Sequence, residues 1–112
     1  MALAIDNHTI TSATGLALVA KCFAGLEQAA IYLGDSRHNA QSVVLQTAKG
    51  VVALMQGNKY KTFDELIHAV MTPGGTTSRA LYSLEGNRIT AALIASVIAG
   101  QGRITEIKSA DR

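Results

Sequence analysis

Tryptophan is absent from this chain and aromatic residues make up only 4% of it, so any interior must be built mainly from Ala, Val, Ile and Leu. That composition suits closely packed helices. A single cysteine, Cys22, excludes an intramolecular disulfide, and no CxxC or zinc-type spacing accompanies it. Set in an apolar run, Cys22 is expected to be a small buried hydrophobe in a reduced, cytoplasmic protein. Charge of one sign is also scarce. Ten basic and eight acidic residues give a net +2 and are scattered, leaving no basic stripe for a nucleic acid. No basic segment leads into a short apolar one near Asp6 and His8, so no signal peptide is expected.

What is present is hydrophobic: 48% of 112 residues, which excludes disorder and supports one core within a single domain over residues 1–112. Residues 1–11 read as an irregular or extended lead-in. From about Thr14 to Leu33 the chain is apolar on nearly every helical face, with Gly34 as a C-cap. Lys21, Glu27 and Gln28 interrupt that stretch and argue against a membrane span. A central helix surrounded by others, including those of a second subunit, is expected instead.

Ser36 caps a second helix to about Met55, whose apolar positions Ala40, Val43, Val44, Ala48, Val51, Val52 and Met55 follow helical spacing. Thr62-Phe63-Asp64-Glu65 is a capping box opening a short helix to about Met71. Thr76 or Thr77 caps a fourth helix ending near Gly86-Asn87, and a fifth begins near Arg88. Gly100 and Gly102 are expected to weaken or end it, at about 1 kcal/mol each relative to Ala. The tail to Arg112 is open between frayed helix and short strand. The fold class is therefore all-α, with about five helices.

Candidate chemistry is sparse. His8, His38 and His68 fall in different elements with no metal-ligand spacing, so no metal site is assigned. Asp64 and Glu65 are explained by capping and the helix dipole. No nucleophile–base pair or phosphate loop occurs. The run Thr72-Pro73-Gly74-Gly75-Thr76-Thr77 remains, holding the only proline. Two readings stand side by side: a connector chosen for backbone geometry, or a cradle whose N–H groups and hydroxyls receive a carboxylate.

The same run, followed by Ala80-Leu81-Tyr82-Ser83-Leu84-Glu85, resembles the S-P-G-G-T-T and A-L-x-x-L-E segments of pyrroline-5-carboxylate reductase, in its C-terminal dimerisation domain. Upstream, Ser12-Ala13-Thr14-Gly15-Leu16-Ala17-Leu18 is similar to the family's S-G-S-G-P-A-Y signature. Leu33-Gly34, Arg37 and Gln46-Thr47 sit where the family has similar residues, and the resemblance runs without gaps from about Asp6 to Ala99. Leu16 and Leu18 replace a proline and a tyrosine, Lys21 enters a usually apolar stretch, and Ala95 and Ile98 take positions that are often polar. The chain looks like a divergent member.

The resemblance implies interlocked helices in a homodimer or higher oligomer, which agrees with first and fifth helices too apolar to face water. It implies a substrate-carboxylate site at Thr72, Gly74, Gly75, Thr76 and Thr77, with Thr77 the first choice for a hydroxyl contact. The ligand implied is pyrroline-5-carboxylate or proline. NADP(H) is implied as hydride source, held mainly by a dinucleotide domain that this chain does not show: it has no GxGxxG and no βαβ pattern. The chain is thus expected not to be catalytic by itself. The alternative is a non-catalytic oligomerisation or small-carboxylate-binding module derived from that family.

Overall fold

The computed structural model describes the backbone of residues 2–110 and the side-chain surroundings of residues 11–107 and 109. Five helices follow one another: α1 (Ala2–Tyr32), α2 (Arg37–Gln56), α3 (Phe63–Val70), α4 (Thr76–Gly86) and α5 (Ile89–Ala110). No strand occurs among the described residues. The all-α expectation stands, and the chain divides into two compact units, Met1–Cys22 with Leu84–Arg112, and Phe23–Ser83.

In the Phe23–Ser83 unit each helix end has a local cause. At the end of α1, Gly34 takes φ +114° and donates its N–H to the Ile31 carbonyl at 2.9 Å, while Asp35 N–H reaches the Ala30 carbonyl at 3.0 Å. This is a Schellman stop, whose left-handed residue is ordinarily glycine. Across that stop Arg37 pairs with Glu27 at 3.1 Å, joining α2 to α1; the Glu27 side chain is only 17% exposed. Ser36 caps α2 by accepting from Asn39 N–H at 3.1 Å. Thr62 accepts from Glu65 N–H at 3.1 Å at the start of α3. The returning carboxylate differs from the expected box: Glu65 Oε2 accepts from Lys61 N–H at 3.3 Å, one residue before the cap. Ala40 and Val44 of α2 and Leu66 of α3 are buried, and these two helices pack together.

In the other unit two expectations are corrected. Residues 2–11 are helix, not an irregular lead-in. No Gly or Pro interrupts the chain before Gly15, so a helix nucleated downstream extends backward at one hydrogen bond per residue fixed. Nor do Gly100 and Gly102 end α5, which continues to Ala110 and settles the tail as helix over its described residues. Gly100 lies where α5 meets α1: a Cβ built on it would stand 3.6 Å from Thr14 Oγ1. Beyond it, Arg103 pairs with Glu106 at 3.1 Å and Thr105 Oγ1 donates to the Gln101 carbonyl at 3.1 Å. These local contacts support the last turns past the two glycines.

The α4–α5 corner is strained at Arg88, a non-glycine residue with φ 62°. It is held there by its N–H donating to the Glu85 carbonyl at 2.9 Å and its carbonyl accepting from Ala92 N–H at 2.9 Å. Thr90 Oγ1 adds a bond to Glu85 Oε1 at 3.3 Å.

The expected burial of α1 is not achieved within one copy. Leu16 is 77% exposed, Leu26 54% and Ile98 of α5 59%, and Cys22 is exposed rather than buried. Apolar patterning is all-round on α1, yet its described neighbours cover it only in part: Leu18, Phe23 and Ile31 are partly covered while Leu16 and Leu26 stay exposed. By length and composition, the Thr11–Tyr32 stretch of α1 would also be long and apolar enough to cross a membrane, with Lys21 and Glu27 inside it.

Candidate functional site

The turn before α4 is built by its own sequence. Gly75 N–H donates to the Thr72 carbonyl at 2.9 Å, closing a four-residue turn with Pro73 at its second position and Gly74 at its third. Gly74 has φ +74°, which is the third-position geometry of a type II turn and the reason for glycine there. Gly75 is favoured for a different reason. A Cβ on it would lie 3.1 Å from the Thr72 carbonyl oxygen and 3.3 Å from Thr72 Cβ.

The helix then starts one residue earlier than the hydroxyl caps predict. Thr76 and Thr77 lie inside α4, and the first helical bond runs from Arg79 N–H to the Gly75 carbonyl at 3.1 Å. Gly75 is therefore the capping residue, and it has no side chain to satisfy a donor. The N–H groups of Thr76, Thr77 and Ser78 belong to the first turn, where no carbonyl precedes them in helical register. They point out at the positive end of the helix dipole.

Two open hollows flank this corner. One, about 460 Å³, is lined by Gly74, Gly75, Thr76, Arg79, Ala80 and Ser83. The other, about 480 Å³, is lined by Gly74, Ser78, Arg79 and Tyr82. Of the residues expected from sequence, Gly74, Gly75 and Thr76 come together at the first hollow. Thr72 forms the turn beneath them, and Thr77, though exposed, lines neither hollow. Sequence reasoning passed over Arg79, which lines both. Its signal was available: between Glu65 and Glu85 it is the one Asp, Glu, Lys or Arg.

The histidines gather no ligands. His38 in α2 and His68 in α3 are exposed, His8 lies outside the residues whose side chains are described, and no group of three metal-binding side chains occurs among the described residues.

Comparison with known proteins decides the family. The family model for pyrroline-5-carboxylate reductase dimerisation matches residues 3–107. The chain belongs to that family. It is 32% identical over 103 residues to pyrroline-5-carboxylate reductase 3 of Rattus norvegicus, covering 92% of this chain and 37% of the rat protein. Pyrroline-5-carboxylate reductase 2 of Bacillus subtilis is 30% identical over 105 residues, 93% of this chain and 37% of the bacterial protein. Among solved structures, a Plasmodium falciparum pyrroline carboxylate reductase with NADP bound superposes with a TM-score of 0.82 at 31% identity. That match covers 88% of this chain and 39% of the other. The chain thus spans a little over a third of the length of the relatives it matches.

NADP is implied for the family by that solved relative. The described residues of this chain do not fit a dinucleotide. A pyrophosphate cradle of the usual kind needs a glycine-rich turn from a strand into a helix, and no strand is present among them. The Gly74-Gly75 turn leads from one helix to another.

Proposed function

We propose that this chain is the dimerisation and substrate-holding domain of a pyrroline-5-carboxylate reductase, with residues 1–112 acting as one domain. The reaction it serves is the reduction of 1-pyrroline-5-carboxylate to proline, with NADPH supplying the hydride from a dinucleotide domain. This chain's part is to hold the imine acid by its carboxylate. The observation that carries this is the glycine-capped start of α4, where Thr76 and Ser78 of the first turn line the two open hollows. Thr76 and Thr77 supply N–H groups and hydroxyls, Gly74 and Gly75 let the backbone approach, and Thr72 closes the turn beneath. Holding the acid in one orientation removes the entropy of finding it, which is how a domain without a reacting group contributes to rate.

We further infer that the exposed apolar faces of α1 and α5 meet a second copy of the chain, making a homodimer or a higher oligomer in the cytoplasm. Among the described residues Ala40, Val44 and Leu66 are the buried ones, a small core for a chain 48% hydrophobic, and family membership points to dimerisation as the cover. The ion pair between Glu27 and Arg37 favours this over a lipid environment for α1, because it ties the C-terminal third of the apolar stretch to a charged helix start.

Titrating proline into the labelled chain while following the Thr76 and Thr77 amides tests the carboxylate site. Saturable shifts at these amides are expected. Their absence would leave the second possibility, an oligomerisation module that keeps the scaffold without the ligand. An assay with NADPH and pyrroline-5-carboxylate on this chain alone is expected to give no turnover, and turnover would overturn the division of labour.

A further inference from the structure

We propose that Arg79 is the charge-bearing contact of this site, a specificity-determining residue that closes on the same carboxylate the 74–77 backbone receives. The proposal rests on the carboxylate assignment above and deepens it.

Three observations place Arg79 there. It lines both hollows that flank Gly74, so it borders the corner on either side. It follows Thr76 by three residues, which sets the two on one helical face with their backbones about 4.5 Å apart along the axis. It has no carboxylate partner among the described residues, whereas Arg37 and Arg103 each hold one at 3.1 Å. From Glu65 to Glu85 no acidic side chain intervenes in sequence to neutralise it.

The chemistry follows from the shape of the group. A guanidinium presents parallel N–H donors that match the two oxygens of a carboxylate, and it stays charged across the working pH range. Backbone N–H groups alone donate to any small acceptor, neutral amides and ketones included. Adding Arg79 converts the corner into a selector for an ionised carboxylate. Ser78 and Tyr82 stand beside it in the second hollow and add hydroxyl groups to the lining. The occupant is a small monocarboxylate such as the imine acid or proline; prolinamide, which has the same ring and amine but a neutral amide in place of the carboxylate, should be refused.

The test is a titration of the full chain and of two variants, Arg79→Gln and Arg79→Lys, with proline, prolinamide and inorganic phosphate, read on the amides of residues 74–78. In the unaltered chain proline is expected to bind and prolinamide to bind at least about tenfold more weakly. Arg79→Gln is expected to weaken proline by about five- to tenfold, leave prolinamide unchanged and flatten the salt dependence. Arg79→Lys should recover part of the affinity, as a point charge without the fork. Because Arg79 is exposed, both variants are expected to keep the fold, checked by an unchanged amide spectrum away from α4. Equal proline affinity in the unaltered chain and in Arg79→Gln overturns the role of Arg79 while leaving the backbone cradle intact. A loss confined to phosphate also overturns it, by making the contact one for a phosphate group. No shift with proline in any form refutes the carboxylate site itself, a different result from either.

Discussion

Gly75 and Thr72 define the turn by two facts: the Gly75 N–H donates to the Thr72 carbonyl at 2.9 Å, and a Cβ on Gly75 would stand 3.1 Å from that same oxygen. A side chain on the fourth residue would crowd the turn, and closure of the turn is what begins α4. The atom in the way is backbone and cannot swing aside. Gly75→Ala is therefore expected to open the turn, cost about 1–2 kcal/mol of stability, and reduce proline binding at the 76 and 77 amides. Thermal unfolding and the same amide titration measure both. An alanine variant with unchanged stability and binding would contradict this role for Gly75.

Gly34 is the corresponding position for the α1 stop. With φ +114° it adopts a backbone that an L side chain rarely enters. Gly34→Ala is expected to destabilise by about 1–2 kcal/mol and to loosen the approach of α2 to α1. Denaturant unfolding reads the first effect, and amide exchange at Asp35, whose N–H closes the stop on Ala30, reads the second.

Arg88 offers the opposite prediction. It holds φ 62° at the α4–α5 corner, where glycine or asparagine would be less strained. Arg88→Gly is expected to raise stability by about 0.5–1 kcal/mol. A lower melting temperature would show that the arginine side chain itself supports the corner.

Leu26 tests the apolar face of α1. It is 54% exposed within one copy. On a free surface Leu26→Glu would be nearly neutral or favourable. If a second copy covers it, the variant is expected to weaken assembly by about 2 kcal/mol or more, from lost burial and a charge left unpaired. Sedimentation of the variant against the parent chain checks this. A mass unchanged from the parent would place Leu26 outside the contact.

These positions also show which features were legible in the sequence. Ser36 and Thr62 could be read as caps because each acts on an N–H three residues ahead, a relation contained in four letters. Gly34 and the Pro73-Gly74 turn were legible for the same reason. Residues 2–11 were not, since Asn7, His8, Thr9, Ile10 and Thr11 have only middling helix propensity and their helix is an extension of one formed downstream. Gly100 differs because its cost is local, while the packing of α5 on α1 near Thr14 is set by residues far away in the chain. Cys22 differs because its apolar neighbours in sequence predict burial, while the fold of one copy leaves it exposed. Arg79 was passed over because the neighbouring glycines and threonines form a recognisable pattern and a lone arginine does not.

The measurement closest to the centre of this account is the mass of the chain in detergent-free buffer at micromolar concentration, by light scattering after size exclusion. Exposed Leu16, Leu26 and Ile98 predict a soluble species of about twice the 11.7 kDa chain mass, or a whole multiple of that dimer. A soluble, folded species at 11.7 kDa would contradict it.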